Sequence, residues 1–295
     1  MTGSGKKNEA AAGRAPTAGP ERPSEAVTRD LSPPRRALSR VASPPVALAL
    51  AAVAGARRGK AVHPDGVVHE ATLVVSGSDA APHGARLFAE PGEHLAIVRF
   101  SRSIGLPRPL PDLLGLSIRL PDVYGAGRHQ DLLLVSSADL PIVHHVFLPS
   151  GDVQARPYTS SLPYRAGGAT FLVGALPHPE SPRPEGRDEF DRLDKAAALG
   201  LRLRIAVSPV MGRFRPVAEL RVGARLPRSV DALRFHPGNS GGGMNPIGVL
   251  NAMRDLSYPL SQAAWRRTRG GAARQQEEAD RELARRSGAK SYGQS

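Results

Sequence analysis

Cysteine is absent from the 295-residue chain. Its absence excludes disulfides, thiol catalysis, thiolate ligation of iron and cysteine-based zinc sites. Aromatic residues make up only 4% of the sequence, whereas hydrophobic residues make up 40%. The sequence therefore predicts a core built mostly from Leu, Val and Ala.

Long apolar runs are also missing. The longest, residues 46–56, has 11 residues, whereas a membrane-spanning helix needs ~20. We interpret it as a short buried helix that ends at Arg57 and Arg58, because cations are favoured at a helix C-terminus. The region before it is rich in Arg, Pro and Ala and has no early apolar stretch typical of a signal peptide. We therefore expect no membrane span and a cytoplasmic location.

Positive charge is concentrated at the two ends of the chain. The formal net charge is +13, with 11 Lys/Arg against 4 Asp/Glu in residues 1–60 and 8 against 4 in residues 261–295. These basic ends lack interleaved aromatics and any DNA-binding motif, so they indicate solubility or weak anion contacts rather than specific nucleic-acid recognition. We predict a disordered basic Pro/Ala-rich tail at 1–44, one folded domain at 45–272 and a charged C-terminal tail at 273–295.

Short apolar segments separated by turns dominate the middle of the chain. Alternating or apolar patterns predict strands in residues 67–76, 95–100, 114–120, 131–137, 201–207 and 217–226. Turns rich in Gly and Pro, such as 105–107 and 125–127, separate them. This order favours an antiparallel barrel or sandwich. Residues 149–187 are polar and Pro-rich, and we expect long loops there, around a helix near 142–147.

Arg254 and Tyr258 form a candidate iron site near the end of the chain. Apolar residues recur at intervals of three and four from Ile247 to Leu260, which predicts a helix, and a spacing of four places the guanidinium beside the phenol. A phenol titrates near ~10, so it binds ferric iron as phenolate only when a fixed positive charge favours loss of its proton. Pro259 should kink or end the helix at Tyr258.

Four segments share their order and residue types with one protein family. They are Val62-His63-Pro64-Asp65-Gly66, Val98-Arg99-Phe100-Ser101, Asp131-Leu132 and Arg254-Asp255-Leu256-Ser257-Tyr258-Pro259. Over roughly residues 57–270 the chain resembles the catalases, and more closely the short catalase-related haem proteins. The resemblance implies an α+β fold, an antiparallel β-barrel of catalase type with flanking C-terminal helices. It also implies haem b, with its iron, as cofactor and, because family members tend to associate, a homo-oligomer.

The resemblance also implies roles for individual residues. His63 would be the distal base and Ser101 its hydrogen-bond partner. Arg99 would contact a haem propionate, Tyr258 would be the axial iron ligand, and Arg254 would be its charge partner. On this basis the chain is expected to be a haem-dependent catalase- or peroxidase-like oxidoreductase that acts on hydrogen peroxide or organic hydroperoxides.

The chain departs from the family pattern at several places. Gly59-Lys60 stands where the family has Glu-Arg, so Lys60 would supply a propionate cation with poorer geometry. Val67-Val68 replaces a run of small, glycine-rich residues. The distal Asn expected after Asp131-Leu132 is missing, because residues 133–137 contain no amide side chain. Without that amide we expect reduction by a second peroxide to slow, which favours peroxidase chemistry over fast dismutation.

Two other functions remain open. The first is a catalase-fold haem enzyme that rearranges or cleaves fatty-acid hydroperoxides, for which an apolar channel lined by Leu113, Leu114 and Leu134 would be expected. The second is a haem-free pseudoenzyme or binding scaffold, which the departures from the pattern favour. Retention of Arg254 with Tyr258 argues against the second.

Three further features have ordinary structural interpretations. Arg99, taken alone, is a solvent-facing strand residue that pairs with Glu70 or Glu93. The adjacent pair His144-His145 points in divergent directions and is not expected to bind a metal. Residues 238–243 are rich in Gly but lack the Gly-Lys-Ser/Thr ending of a phosphate loop, so they are predicted to form a mobile turn.

Overall fold

The computed structural model describes residues 65–138, 147–160, 163–228, 230, 233–247 and 281. The strands of this part are β1 (Asp65–Val75), β2 (Gly92–Arg102), β3 (Leu114–Leu120), β4 (Gln130–Ser136), β5 (Tyr158–Thr159), β6 (Tyr164–Ala166), β7 (Ala169–Pro177), β8 (Arg202–Pro209), β9 (Arg215–Arg225) and β10 (Asn245–Pro246). Its helices are α1 (Arg86–Ala89) and α2 (Glu189–Ala198).

Eight of these strands close into an antiparallel barrel. Their order is β7-β5-β4-β3-β2-β1-β9-β8, and β8 pairs again with β7. The short strands β6 and β10 extend from β7 outside this ring. A closed ring leaves no free sheet edge along its strands. The predicted barrel is therefore confirmed.

Side-chain alternation separates the interior of the barrel from its outer face. On β2 and β3, Val98, Phe100, Leu116 and Ile118 point inward and are at most 1% exposed. They belong to the main core, which α2 extends through Leu193 and its neighbours. Each such side chain stabilises the fold by about 1.5–3 kcal/mol when fully buried.

A smaller apolar cluster covers part of the outer face of β1 and β2. Val68 and Ile97 point outward there. They pack against side chains of the segment that follows β9, namely Leu226, Val230, Leu233 and Phe235. The outer face toward Asp65, where Arg99 and Ser101 lie, is a separate region next to this cluster.

Most predicted strands are confirmed, and one predicted loop region is wrong. β3 begins and ends at the predicted residues, Leu114 and Leu120. Residues 149–187 were expected to form loops, but β7 lies there and closes the barrel. The outer face of β7 is covered as well as its inner face: the Phe214 ring lies where a Cβ on Gly174 would be, 2.6 Å from the nearest ring atom. The strand therefore shows no polar alternation.

Helix α2 was not predicted from the sequence. It begins after Asp188, whose side chain accepts hydrogen bonds from the backbone N–H groups of Phe190 and Asp191, each at 2.9 Å. Gly200 follows its C-terminus with a φ of +95°. An N-terminal Asp and a C-terminal Gly are common helix boundaries, so this signal was available in the sequence.

Several predictions fall outside the described residues. They include the tail at 1–44, the helix at 46–56, the helix near 142–147 except Phe147, the helix beyond Ile247, and nearly all of the tail at 273–295. Within the described ranges, none of the helices has the length and apolar character needed to span a membrane.

Candidate functional site

Four adjacent strands place Gly66, Ser101, Gly115 and Val135 in one row on the outer face of the barrel, here named the Ser101 row. Gly66 pairs with Ser101, Ser101 with Gly115, and Gly115 with Val135. Neighbouring strands lie ~4.8 Å apart, so Ser101 and Val135 are separated by about 10 Å across two strand spacings. The two glycines that flank Ser101 in this row carry no side chain.

Ser101 is buried in this face. It is 1% exposed, and its hydroxyl donates to the Gly115 carbonyl at 3.5 Å. That distance is long for a hydroxyl donor, whose usual range is about 2.5–3.0 Å.

Arg99 lies two residues before Ser101 and points to the same face. It is 7% exposed, so the prediction of a solvent-facing arginine is wrong. Its guanidinium lies across β1 at Gly66, where a Cβ would be 2.8 Å from one Nη atom. Glu93, one of its predicted partners, lies instead 3.4 Å from Arg221. Gly66 thus provides the space in which a buried positive charge lies next to Ser101.

Asp131, on β4, anchors the segment that contains His236 and Asn239 to the outer face of the barrel. It is fully buried, and its carboxylate accepts two hydrogen bonds from Arg119, at 2.8 and 2.7 Å. It also accepts from the backbone N–H of His236 at 2.8 Å and from the Asn239 side-chain amide at 2.9 Å. The Arg119 guanidinium lies 5.2 Å from the centre of the Phe235 ring. Asp131 therefore has a structural role that the sequence did not reveal.

The Gly-rich segment 238–243 forms a turn, and Gln130 holds it against β4. The Gln130 side-chain oxygen accepts from the Gly241 N–H at 3.2 Å and from the Tyr124 hydroxyl at 3.2 Å. Burial raises the pKa of Tyr124 to about 12. The phenol therefore keeps its proton at neutral pH and remains a donor to Gln130.

A buried arginine fixes the loop between β2 and β3. Arg102 is 2% exposed and donates to Glu189 at 2.8 Å, which ties the loop region to the start of α2. It also donates to the carbonyls of Leu106 and Leu110, at 2.9 and 2.8 Å. The fully buried Asp112 accepts three backbone N–H groups of the same loop, at 2.7 to 2.9 Å.

Arg108, on this loop, bridges the start of β1 and the start of α2. Its guanidinium contacts Asp65 at 3.1 Å and also pairs with Asp188. Asp65 is the first residue of β1 and follows the predicted distal base His63 by two positions. This ion pair therefore fixes the chain next to the segment that carries His63.

His69 is a buried histidine that the sequence analysis did not single out. Its Nδ1 lies 3.0 Å from the Gly223 carbonyl and its Nε2 lies 3.1 Å from an Asp194 oxygen. Burial lowers the pKa of His69 and outweighs the raising effects of the Gly223 carbonyl and the Asp194 carboxylate. The ring packs edge-on against Phe100 on the inner side of the wall, so His69 links α2 to β1 and does not face the Ser101 row.

Solved catalase structures match this barrel. A fungal catalase aligns with a TM-score of 0.51 at 10% identity, and the alignment covers 72% of this chain and 61% of that chain. This is the fold of the catalases. A bacterial catalase aligns with a TM-score of 0.48 at 12% identity over 73% of this chain and 60% of that chain. Catalase A from Saccharomyces cerevisiae aligns with a TM-score of 0.48 at 10% identity over 72% of this chain and 62% of that chain.

This chain therefore spans about three fifths of the length of these catalases. No protein-family model matches it, and neither does any curated protein sequence. At an identity of 10%, the likeness to the fungal catalase establishes the fold alone.

The catalase-type barrel brings together the two predicted site residues that the structure describes, Arg99 and Ser101. The others, Lys60, His63, Arg254 and Tyr258, lie outside the described residues, and their roles stay predictions. Among the described residues, no three His, Asp or Glu side chains are grouped so that they could hold a metal ion. One feature of this face suits an anionic group such as haem: the buried cation of Arg99 lies beside Ser101, in the space that Gly66 leaves.

The predicted apolar channel is not lined as expected. Leu114 and Leu134 face the barrel interior, where they are 1% and 2% exposed and belong to the main core. Leu113 and Val135 lie on the opposite, outer side and are half-buried. Val135 belongs to the segment in which a distal amide was expected. The Ser101 row thus ends in an apolar side chain at a position where an amide would have reached the same face.

Proposed function

We propose that this protein binds haem b against the Ser101 row and acts as a peroxidase-like oxidoreductase on hydrogen peroxide or organic hydroperoxides. The observation that supports the proposal is the placement of Gly66, Ser101, Gly115 and Val135 in one row of a catalase-type wall. The buried cation of Arg99 lies beside it. When bound, haem supplies the redox chemistry of its iron.

Four residues of this chain would hold the cofactor. Tyr258 would bind the haem iron through its phenolate oxygen, and Arg254 would favour the phenolate form because an adjacent cation stabilises the anion. Arg99 would meet a propionate with its planar fork of donors, whereas Lys60 offers a point charge with less directional geometry. The Gly66 position matters to this arrangement because it sets where the Arg99 guanidinium lies.

Proton transfer would belong to His63 and Ser101. A neutral imidazole near its ordinary pKa is a working base at neutral pH, so His63 would take the proton from one peroxide oxygen and return it to the other. The Ser101 hydroxyl would bond the second ring nitrogen and so fix the tautomer. The ion pair between Arg108 and Asp65 would hold the backbone that follows His63.

Val135 would determine whether a second peroxide or an organic reductant reacts after the first peroxide. An amide at this place would offer two donors and an acceptor to a second peroxide, whereas a valine side chain offers none. A second hydrogen peroxide would therefore find no polar partner at residue 135, and organic reductants should compete with it. An apolar side chain also favours hydroperoxides with an alkyl part, because contact with it removes apolar surface from water.

The same apolar residue favours a second candidate, rearrangement of fatty-acid hydroperoxides without an added reductant. Product analysis separates the two functions. A peroxidase converts the hydroperoxide to an alcohol only when a reductant is present, whereas a rearranging enzyme forms isomeric products from the hydroperoxide alone.

The proposal is tested by titrating haem into the full-length chain and its variants. We expect about one haem per chain with a Soret band. Tyr258→Phe should remove or greatly weaken retention, because no phenolate is left to bind iron. Tyr292→Phe, in the charged C-terminal segment, is the matched control and should bind as the unmodified chain does. Equal retention by Tyr258→Phe and the unmodified chain would contradict the assignment of the ligand.

A further inference from the structure

Ser137 carries a fully buried hydroxyl just after the end of β4. The residue is 0% exposed, and its Oγ has no hydrogen-bond partner in the part of the chain that the structure describes. The preceding Ser136 differs, since its hydroxyl donates to the Leu148 carbonyl at 2.7 Å and accepts from the Leu114 N–H at 3.0 Å. A buried hydroxyl without a partner is unfavourable for folding. Its presence at this place therefore points to a bond with something other than the barrel.

The Ser137 hydroxyl lies on the same face as Val135. The Ser137 N–H donates to the Pro157 carbonyl at 2.9 Å, which continues the β4–β5 ladder one residue beyond the pair of Ser136 and Tyr158. Side chains two positions apart along a strand point to the same side. Ser137 thus follows Val135 on the outer face, beyond the end of β4.

A short segment, residues 147–150, lies beside Ser137 where β3 would otherwise continue. Ser137 forms an isolated antiparallel bridge with Phe147, and Asp112 forms one with Ser150. The Leu148 N–H donates to the Ser136 carbonyl at 3.0 Å. Directly opposite residues of an antiparallel pair have neighbouring side chains on one face, so Phe147, which is 44% exposed, lies beside Ser137 there.

From this placement we infer that the Ser137 hydroxyl donates a hydrogen bond to the peroxide oxygen of an alkyl hydroperoxide bound on this face. Val135 provides no amide that could make this bond, so Ser137 would make it instead. This inference rests on the proposed function. A hydroxyl provides one donor, enough to orient a single O–O group. Away from water such a bond is stronger than in solution.

The residues around Ser137 favour an alkyl hydroperoxide over hydrogen peroxide. Val135, which is half-buried, precedes Ser137 on the same face of β4, and Phe147, which is 44% exposed, is the bridge partner of Ser137. An alkyl hydroperoxide has one polar end and one apolar end, so its O–O group would meet Ser137 while its alkyl part contacts these two side chains. Hydrogen peroxide has no apolar part and would gain nothing from them.

The test uses the full-length chain loaded with haem, with fluoride as a probe because it accepts hydrogen bonds when it binds ferric haem. Ser137→Ala should weaken fluoride binding about tenfold, as expected for loss of one hydrogen bond to a charged acceptor. It should raise the KM for tert-butyl hydroperoxide by a similar factor with little change in kcat, because the bond is present before and during the reaction. Ser137→Thr keeps a hydroxyl and should restore both.

Two further measurements separate this role from a structural one. Because the hydroxyl has no partner in the described barrel, Ser137→Ala without haem should melt at the same temperature as the unmodified chain or higher. Ser208→Ala is the control: this hydroxyl is equally buried but donates to the Pro209 carbonyl at 2.7 Å on β8, so its loss should leave fluoride binding unchanged.

The outcomes distinguish this inference from the function on which it rests. A normal Soret band with the same fluoride affinity in Ser137→Ala and the unmodified chain would overturn the role of Ser137 alone. A melting temperature that falls in the haem-free Ser137→Ala variant would also overturn it, because the hydroxyl would then serve the fold. Absence of a Soret band in the unmodified chain would overturn the proposed function and this inference together.

Discussion

Ser101 and Val135 point to the same side of the barrel wall and are joined through Gly115 by an unbroken antiparallel register. Ser101 carries a buried hydroxyl, whereas Val135, at one end of the Ser101 row, carries a half-buried apolar side chain. The wall can therefore hydrogen-bond a polar partner beside Ser101, but Val135 offers no second polar contact. This asymmetry underlies the proposed preference for peroxidase chemistry.

Val135→Asn should shift the haem-loaded protein toward dismutation. The amide adds hydrogen-bonding groups to the Ser101 row, and we expect the ratio of oxygen release to phenol oxidation to rise about tenfold, within the usual range of one positioned polar group. Val74→Asn places the same change at another half-buried, outward-facing valine on β1. An equal ratio in Val135→Asn and the unmodified chain, or an equal rise in Val74→Asn, would contradict the assigned role of the row.

Gly66→Ala should weaken both the fold and haem retention. A Cβ at residue 66 would lie 2.6 Å from the Phe100 carbonyl oxygen and 2.8 Å from the Arg99 guanidinium. Overpacking of this kind costs about 1–3 kcal/mol, and displacement of Arg99 should lower the affinity for haem. The measurements are urea unfolding and haem titration.

Gly92→Ala is the matched control for Gly66→Ala. The nearest heavy atom to a Cβ at residue 92 lies 4.0 Å away, at His94. We expect little change in stability or in haem affinity. If both alanine variants lose haem to the same extent, the space occupied by Arg99 is not what Gly66 provides.

Asp131→Asn should strongly destabilise the protein. The substitution removes one charge of a fully buried pair and leaves the Arg119 cation without its counterion. Breaking such a pair costs about 3–5 kcal/mol. Glu219→Gln breaks an exposed contact with Arg221 instead and should cost no more than about 1 kcal/mol. Free energies of unfolding in urea give both values, and similar losses in the two variants would contradict the structural role of Asp131.

Stability should fall as the pH is lowered through the range in which histidine titrates. Burial lowers the pKa of His69 in the folded protein, so the unfolded chain binds a proton at a higher pH than the folded one. The contribution of His69 is therefore fully present above about pH 6.5 and is lost as the pH falls below that value.

His69→Gln should flatten this part of the pH profile of the free energy of unfolding. His83→Gln changes an exposed imidazole and should leave the profile as it is. The measurement is urea unfolding at intervals between pH 5 and pH 7.5. Parallel profiles for His69→Gln and the unmodified chain would rule out His69 as the source of the slope.

Strands could be predicted from the sequence where clear turns bound them or where polar and apolar residues alternate. β3 was predicted at both ends because its seven residues lie between clear turns. β7 was missed because its outer positions are also covered, as Phe214 covers Gly174, so its sequence shows no alternation of polar and apolar residues. Pro-rich flanks added to the appearance of a loop. Burial on both faces of a strand comes from distant parts of the chain, which local patterns do not report.

The candidate site was predictable in the placement of neighbouring residues but not in its long-range arrangement. Arg99 and Ser101 lie on one strand and point to one face, as their spacing of two predicts, yet no local pattern indicated that Gly66 makes room for the guanidinium. The opposite sides of Leu113 and Leu114 follow from strand alternation, whereas the place of Val135 beside Gly115 depends on long-range register. Ser136 and Ser137 are adjacent and chemically identical, and only the folded structure shows which hydroxyl is already used.

The most direct test of the central claim is the absorption spectrum of the purified full-length protein made with haem available, with oxygen release from hydrogen peroxide followed in the same cuvette. The account predicts a high-spin ferric Soret band of the tyrosinate type, with slow oxygen release and faster oxidation of an organic reductant. A chain that shows no Soret band, even after haem is added, would contradict it.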